Sequence, residues 1–190
     1  MSSKLTCRSI ELVDICDCST VVHRKVLEIR NNPLLRKLML GNHQISDDEH
    51  SKWLSSLSNN LKVKFHVAIL GGEVVGAINL TGIDYTHLRA DWGFYVDPAR
   101  QGEGIGGVIT WRFLDHAYRA VGLNKINAEV LIDNSESINM HLRCGFVKEG
   151  VRRSHIFRHG RWHDVVLFGL HRQEWLAHRV SIKERNIDCE

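Results

Sequence analysis

Residues 96–107 read Val96-Asp97-Pro98-Ala99-Arg100-Gln101-Gly102-Glu103-Gly104-Ile105-Gly106-Gly107. This glycine-rich stretch separates an apolar run from a long amphipathic segment, so it predicts a strand end, a bend and the start of a helix. In such a bend successive backbone N–H groups point outward without partners, and the helix dipole adds positive potential. Glycine suits the bend because a Cβ would keep an anion away from the backbone. The stretch therefore predicts a cradle for a pyrophosphate.

Two better-known phosphate motifs do not fit this stretch. The P-loop is excluded because no Gly-Lys-Ser/Thr follows the glycines. The Rossmann fingerprint is excluded because the preceding runs predict an antiparallel meander instead of the start of a βαβ unit. That meander is a hairpin over 64–70 and 74–80, joined by Gly71-Gly72, and a third strand over 90–96.

The other elements follow from hydrophobic periodicity and capping residues. They are a strand over 5–13, helices over 19–30 and from Asn32-Pro33, a helix over 46–57 with a Ser46–Glu49 capping box, a helix over 104–121, a strand over 125–132, a helix over 135–143, strands over 146–157 and 162–171, and a helical tail from 173. This order predicts a single domain over 1–190, of the α/β (α+β) class, with a largely antiparallel sheet.

The composition narrows the function classes. Hydrophobic residues make up 43% and charged residues 25% of the 190 residues, as in ordinary globular proteins. No apolar run approaches the roughly 20 residues of a membrane helix, and the first residues lack the apolar core of a signal peptide. We therefore expect a cytoplasmic protein that does not bind membranes. The net charge of +3 is too small to indicate a nucleic-acid partner.

The cysteine and histidine patterns predict no metal site. The five cysteines are irregularly spaced, and Cys16-Asp17-Cys18 has no matching second pair, so neither zinc nor a disulfide scaffold is expected. A late group of histidines falls on two predicted strands and the turn between them, so its members that are four residues apart do not share one face of a helix. Its members are His155, His159, His163 and His171.

Positive charge is concentrated late in the chain, where only Glu149 opposes a group of basic residues. The group consists of Arg143, Lys148, Arg152, Arg153, Arg158 and Arg161. It is interpreted either as a solvated positive face or as a funnel for phosphorylated ligands.

The pattern Gln101-x-x-Gly104-x-Gly106 resembles the Arg/Gln-x-x-Gly-x-Gly/Ala signature of GNAT acetyltransferases. A second segment, from Asn134 through Ser137 to Gly145-Phe146, is similar to the second signature of that family. The resemblance implies the GNAT fold, a twisted, mostly antiparallel sheet of about seven strands flanked by helices, with acetyl-CoA as co-substrate. By that resemblance the residues expected to hold acetyl-CoA are Phe94, Tyr95, Val96, Gln101, Gly102, Gly104, Ile105, Gly106, Gly107, Asn134 and Ser137.

The resemblance also implies direct transfer of the acetyl group from the thioester to an amine. Members of the family often have a tyrosine that acts as general acid seven residues after the asparagine. In this chain, counting from Asn134, that position is His141. The histidine could protonate the leaving thiolate, contact the substrate or lie solvated on its helix. Glu129 is expected on the cofactor-facing strand, where relatives carry a carboxylate that takes the amine's proton through water. Its alternative is a surface carboxylate.

The acceptor is a small molecule in the favoured interpretation. Residues 26–57 resemble the nucleotide-sugar N-acetyltransferases of pseudaminic acid biosynthesis, which implies a UDP-linked 4-amino-sugar, with a homodimer possible. The expected substrate contacts are Arg30, Asn31, His50 and Trp53. The alternatives are a ribosomal or N-terminal protein acetyltransferase, a polyamine acetyltransferase, and a non-catalytic acyl-CoA-binding module.

Overall fold

The computed structural model describes residues 10–186, with side chains up to Ser181. Seven strands form one sheet in the order β1-β2-β3-β4-β5-β7-β6. The strands are β1 Ile10–Asp14, β2 Lys64–Leu70, β3 Glu73–Asp84, β4 Arg89–Val96, β5 Lys125–Leu131, β6 Val147–Arg158 and β7 Arg161–His171. Neighbouring strands are antiparallel except for β4 and β5. The predicted fold class is confirmed; residues 5–9 of the first predicted strand lie outside the described residues.

Six α-helices flank this sheet. They are α1 Thr20–Arg30, α2 Pro33–Arg36, α3 Asp47–Leu57, α4 Ile105–Arg119, α5 Ser135–Arg143 and α6 Arg172–Asn186. No helix in this part of the chain is both long and apolar enough to cross a membrane.

The predicted helix starts are confirmed, because their capping side chains do what the sequence indicates. The Ser46 hydroxyl accepts from the Glu49 N–H, and the Glu49 carboxylate accepts from the Ser46 N–H, which completes the capping box of α3. Asn32 caps α2, with Pro33 at its first position. Ser19 caps α1. Each cap satisfies N–H groups that have no partner inside the helix.

The core lies on both faces of the sheet. On one face α4 and α6 bury large side chains such as Phe113, Tyr118 and Trp175. On the other face α1 and α3 bury a smaller set that includes Val26, Ile29 and Leu57. Helices therefore cover both faces of the sheet. A ligand can reach the middle of the sheet only where two neighbouring strands separate.

Such a separation lies between β4 and β5. The two strands pair only from Arg89 to Asp91 on β4, opposite Lys125 to Asn127 on β5. Beyond that point β4 remains paired with β3 up to Val96, and β5 remains paired with β7 up to Leu131. A gap therefore opens in the middle of the sheet, at the end where the glycine-rich bend begins α4.

Candidate active site

The glycine-rich bend has the unpaired donors that its sequence predicts. Gly104 precedes α4 with a φ of 80° and no side-chain cap. Within residues 10–186, the five consecutive backbone N–H groups from Gly102 to Gly106 donate no hydrogen bond. A Cβ added at Gly102 or Gly104 would project into open space, with no heavy atom within 4 Å. The bend is thus an open concave surface of positive potential, which fits a pyrophosphate.

The free edge of β4 offers a second set of backbone groups. The Asp97 N–H donates to the Val75 carbonyl at 2.9 Å, so residue 97 has its main chain directed at β3. Main-chain direction alternates along a strand. The N–H and C=O groups of Phe94 and Val96 therefore face the gap, whereas those of Tyr95 face β3. Phe94 and Val96 are thus the two of the three predicted strand residues that could pair with an extended ligand.

A donor cleft of about 800 Å³ occupies the gap, between β4, β5, the start of α4 and α5. All eleven residues expected to hold acetyl-CoA line it, and so do Glu129 and His141. Asn134 also has a local role, because its Oδ1 accepts from the Ser137 N–H at 3.1 Å and caps α5. A cleft with a pyrophosphate cradle at one end and a free strand edge along its side fits acetyl-CoA.

His141 lines this cleft but is not placed to release a proton. The indole Nε1–H of Trp92 donates to His141 Nε2 at 3.2 Å, and His141 Nδ1 lies 2.7 Å from the Ser137 carbonyl, to which it donates. Burial lowers the pKa of His141 to about 4, so the ring is neutral at pH 7. Its single N–H is used by the Ser137 carbonyl. The predicted acid role is therefore not supported, because the histidine holds Trp92 in place instead.

Glu129 lies on β5 in the donor cleft and forms an ion pair with Arg152 of β6. Its side chain is about 33% exposed, so water can reach it. This placement suits the predicted role in taking a proton through water.

A second, acceptor cleft of about 460 Å³ lies between α1, α3, β3 and β4. It shares six lining residues with the donor cleft, namely Arg30, Met39, Trp92, Gly93, Phe94 and Tyr95. The two clefts therefore meet at the free part of β4. Burial raises the pKa of the Tyr95 phenol, which keeps its proton. Sequence reasoning missed three acceptor-side residues, Met39, Trp92 and the side chain of Tyr95, because contacts between segments distant in sequence place them at the cleft.

The four predicted substrate contacts differ in position. His50 and Trp53 line the acceptor cleft, and Arg30 lines both clefts. Asn31 does not line either cleft. Its amide exchanges two hydrogen bonds of 2.8 Å with the backbone of Ile45, so it fixes the chain between α2 and α3. The prediction that Asn31 contacts the substrate is therefore not supported.

Of the late basic group, only Arg143 lines the donor cleft and no member lines the acceptor cleft, as far as the described residues show. Arg158 is buried and donates to the backbone carbonyls of Lys37 and Met39. Arg152 pairs with Glu129, and Arg161 pairs with Asp133. Half of the group is thus engaged within the protein, which removes the main electrostatic argument for a phosphorylated acceptor.

Sequence comparisons point away from a sugar acceptor. The chain is 27% identical over 166 residues to the spermidine N(1)-acetyltransferase of Vibrio cholerae, covering 87% of this chain and 91% of that protein. It is 27% identical over 104 residues to a putative ribosomal N-acetyltransferase of Bacillus subtilis, covering 55% of this chain and 57% of that protein. The prediction of a nucleotide-sugar acceptor is wrong, because these relatives are named for other amines.

Solved structures and a family match agree on the fold. The spermidine N-acetyltransferase of Vibrio cholerae in complex with CoA and spermine superimposes with a TM-score of 0.82 at 22% identity, covering 89% of this chain and 99% of that one. The sequence model of the acetyltransferase (GNAT) family matches residues 31–146, more than half of the chain. The predicted alternative of a non-catalytic binding module is not supported. The chain therefore belongs to the acetyltransferase (GNAT) family and is an acetyl-CoA-dependent N-acetyltransferase.

Proposed function

We propose that this enzyme acetylates a primary amine of a linear polyamine of the spermidine class. The observation that carries the proposal is the meeting of two clefts at the free part of β4. Acetyl-CoA in the donor cleft would supply the thioester, and an amine in the acceptor cleft would approach it past residues 92–95. Attack by the neutral amine forms the amide C–N bond and breaks the thioester C–S bond, and the CoA thiolate that leaves takes a proton from water.

The acceptor cleft suits a flexible chain of methylenes and ammonium groups. Trp53 and Phe65 meet edge to face with ring centroids 4.9 Å apart, and both line the cleft. Their faces can contact methylene groups and attract an ammonium ion. Glu49 also lines the cleft and can bind a distant ammonium. Burial lowers the pKa of His50, so this histidine is neutral and does not repel a cation.

Arg30 supports the chemistry in a different way. Its guanidinium lies where the two clefts meet, and it donates to the Gly41 carbonyl at 3.1 Å. A fixed positive charge beside the reacting amine lowers that amine's pKa, which increases the neutral, nucleophilic fraction. The proton lost on attack would pass through water to Glu129.

An N-terminal amine of a protein is the second candidate acceptor. Among the described residues Glu49 is the only carboxylate that lines the acceptor cleft, and its capping-box bonds already engage it. A polycation would gain more from several acidic side chains. The similarity to the putative ribosomal N-acetyltransferase also favours this candidate.

The test is a thiol-release assay with acetyl-CoA. Spermidine, spermine, a ribosomal-protein N-terminal peptide and a UDP-4-amino-sugar are compared with an acceptor-free control. We expect saturable turnover with spermidine, with a KM between about 1 μM and 1 mM, and only background release with the sugar. Turnover with the peptide alone would assign the second candidate. Turnover with neither would contradict both.

A further inference from the structure

Residues 37–42, which we name the clasp loop, follow α2 and form a wall of both clefts. Leu38, Met39, Leu40 and Gly41 line the donor cleft, and Met39 also lines the acceptor cleft. The position of this loop therefore affects the shape of the space where the amine meets the thioester.

Arginine side chains hold the clasp loop by its carbonyl oxygens. Arg30 donates to Gly41 at 3.1 Å, and Arg36 donates twice to Asn42, at 2.9 and 2.7 Å. Arg158 donates to Met39 at 2.7 Å and also to Lys37. None of these three arginines forms an ion pair with a residue in the described range 10–186. Their charge is directed at peptide oxygens, in bonds stronger than those between neutral groups.

Arg158 differs from the other two in its origin. Arg30 and Arg36 precede the loop in sequence, whereas Arg158 ends β6 and is 119 residues from Met39. It is only 7% exposed, and a buried guanidinium is stable only when it is hydrogen-bonded. The next residue is His159, and its Nε2 lies 3.4 Å from Nδ2 of the Asn42 side chain. The turn between β6 and β7 is thus docked on the clasp loop.

We infer that Arg158 is a positioning residue for acceptor binding, an inference that rests on the proposed function of the acceptor cleft. It keeps the clasp loop against the free part of β4, so that Met39 completes the acceptor wall. The clasp loop also lines the donor cleft, but acetyl-CoA binding depends chiefly on the amides from 102 to 106 and on the β4 edge, which Arg158 does not touch. Loss of Arg158 therefore affects the acceptor more than the donor.

The test compares three variants in the full chain. Arg158→Met removes the donors, Arg158→Lys keeps a charge with fewer donors, and Arg161→Met is the matched control. Arg161 lies opposite Arg158 in the same hairpin, and its exposed side chain bonds only Asp133 among the described residues. We expect Arg158→Met to raise the acceptor KM by roughly tenfold, with the acetyl-CoA Kd from calorimetry changed by less than about threefold. Lysine should restore part of the loss, and the control should match the wild type.

A second measurement does not depend on knowing the acceptor. Hydrogen exchange of a peptide covering the clasp loop should be faster in Arg158→Met than in Arg161→Met. If the wild type acetylates no acceptor, the proposed function fails, while the exchange rates still decide whether Arg158 holds the loop. A lower Tm with unchanged acceptor KM and unchanged exchange in the clasp loop would overturn the inference.

Discussion

The two sides of the active site are built from different parts of the chain. On the donor side the working groups are main-chain amides, five of which in a row have no partner within the described residues. On the acceptor side several polar side chains are already bonded inside the protein. Arg30 donates to the Gly41 carbonyl at 3.1 Å, and His50 Nε2 donates to the His23 carbonyl at 3.1 Å. The donor side therefore offers main-chain donors that can bind a ligand, while several polar side chains of the acceptor side stabilise the fold around the cleft.

This difference shows how far the type of a residue alone indicates its role. A glycine-rich bend before a helix has little else to do with its amides than bind an anion. An arginine, asparagine or histidine has many possible partners, and Arg30, Asn31 and His50 each donate to a backbone carbonyl. Side-chain identity on the acceptor side therefore indicates structure as readily as specificity.

The largest effect should come from blocking the amide cradle. Gly104→Trp places an indole where the bend is open and strains a residue with φ of 80°. We expect acetyl-CoA affinity to fall by more than about 100-fold, or roughly 3 kcal/mol, measured by calorimetry. Gly122→Trp is the matched control, because Gly122 also has an open left-handed conformation, with φ of 81°, but lies near the other end of α4. Unchanged affinity in Gly104→Trp would remove the cradle from donor binding.

A smaller effect should come from Glu129, the carboxylate on β5 that lines the donor cleft. Glu129→Gln removes the proposed proton acceptor but keeps the size of the side chain. We expect kcat at pH 7 to fall by roughly 100-fold, with little change in acetyl-CoA affinity. Glu149→Gln is the control, since Glu149 is likewise ion-paired on the sheet, with Lys125. Equal rates in both variants would show that Glu129 is only a surface carboxylate.

The smallest effect should come from the histidine that supports Trp92, and it concerns stability. In the folded protein burial lowers the pKa of His141 to about 4 from its ordinary value of 6.5. Between these pH values the unfolded chain binds a proton that the folded chain does not, so stability falls as the pH falls. From pH 7 to pH 4.5 this group should cost about 2 kcal/mol.

Urea unfolding of the wild type and His141→Gln measures this cost. Between pH 7 and pH 4.5 the free energy of unfolding of the variant should fall by about 2 kcal/mol less than that of the wild type, because glutamine does not titrate. In addition, the kcat of the wild type should show no inflection from His141 between pH 6 and 9. An identical loss of stability in both proteins would contradict the buried, neutral state of His141.

Local patterns predicted much of the fold. The capping box at Ser46, the proline start of α2 and the hairpin at Gly71-Gly72 each depend on residues within a few positions of one another. The parallel contact of β4 with β5 could not be predicted in this way, because it joins strands separated by α4. Its early end, after Asp91, creates the gap.

The candidate site likewise combines features set by local sequence with features set by contacts between distant segments. The sequence by itself determined the open bend before α4, since a run of glycines before a helix fixes the direction of its amides locally. Only the tertiary structure decided the roles of His141 and Arg158. Their partners, Trp92 and Met39, lie 49 and 119 residues away in sequence. Whether such a side chain serves a substrate or a carbonyl oxygen depends on which backbone groups folding leaves beside it, and folding also sets how far water is excluded there.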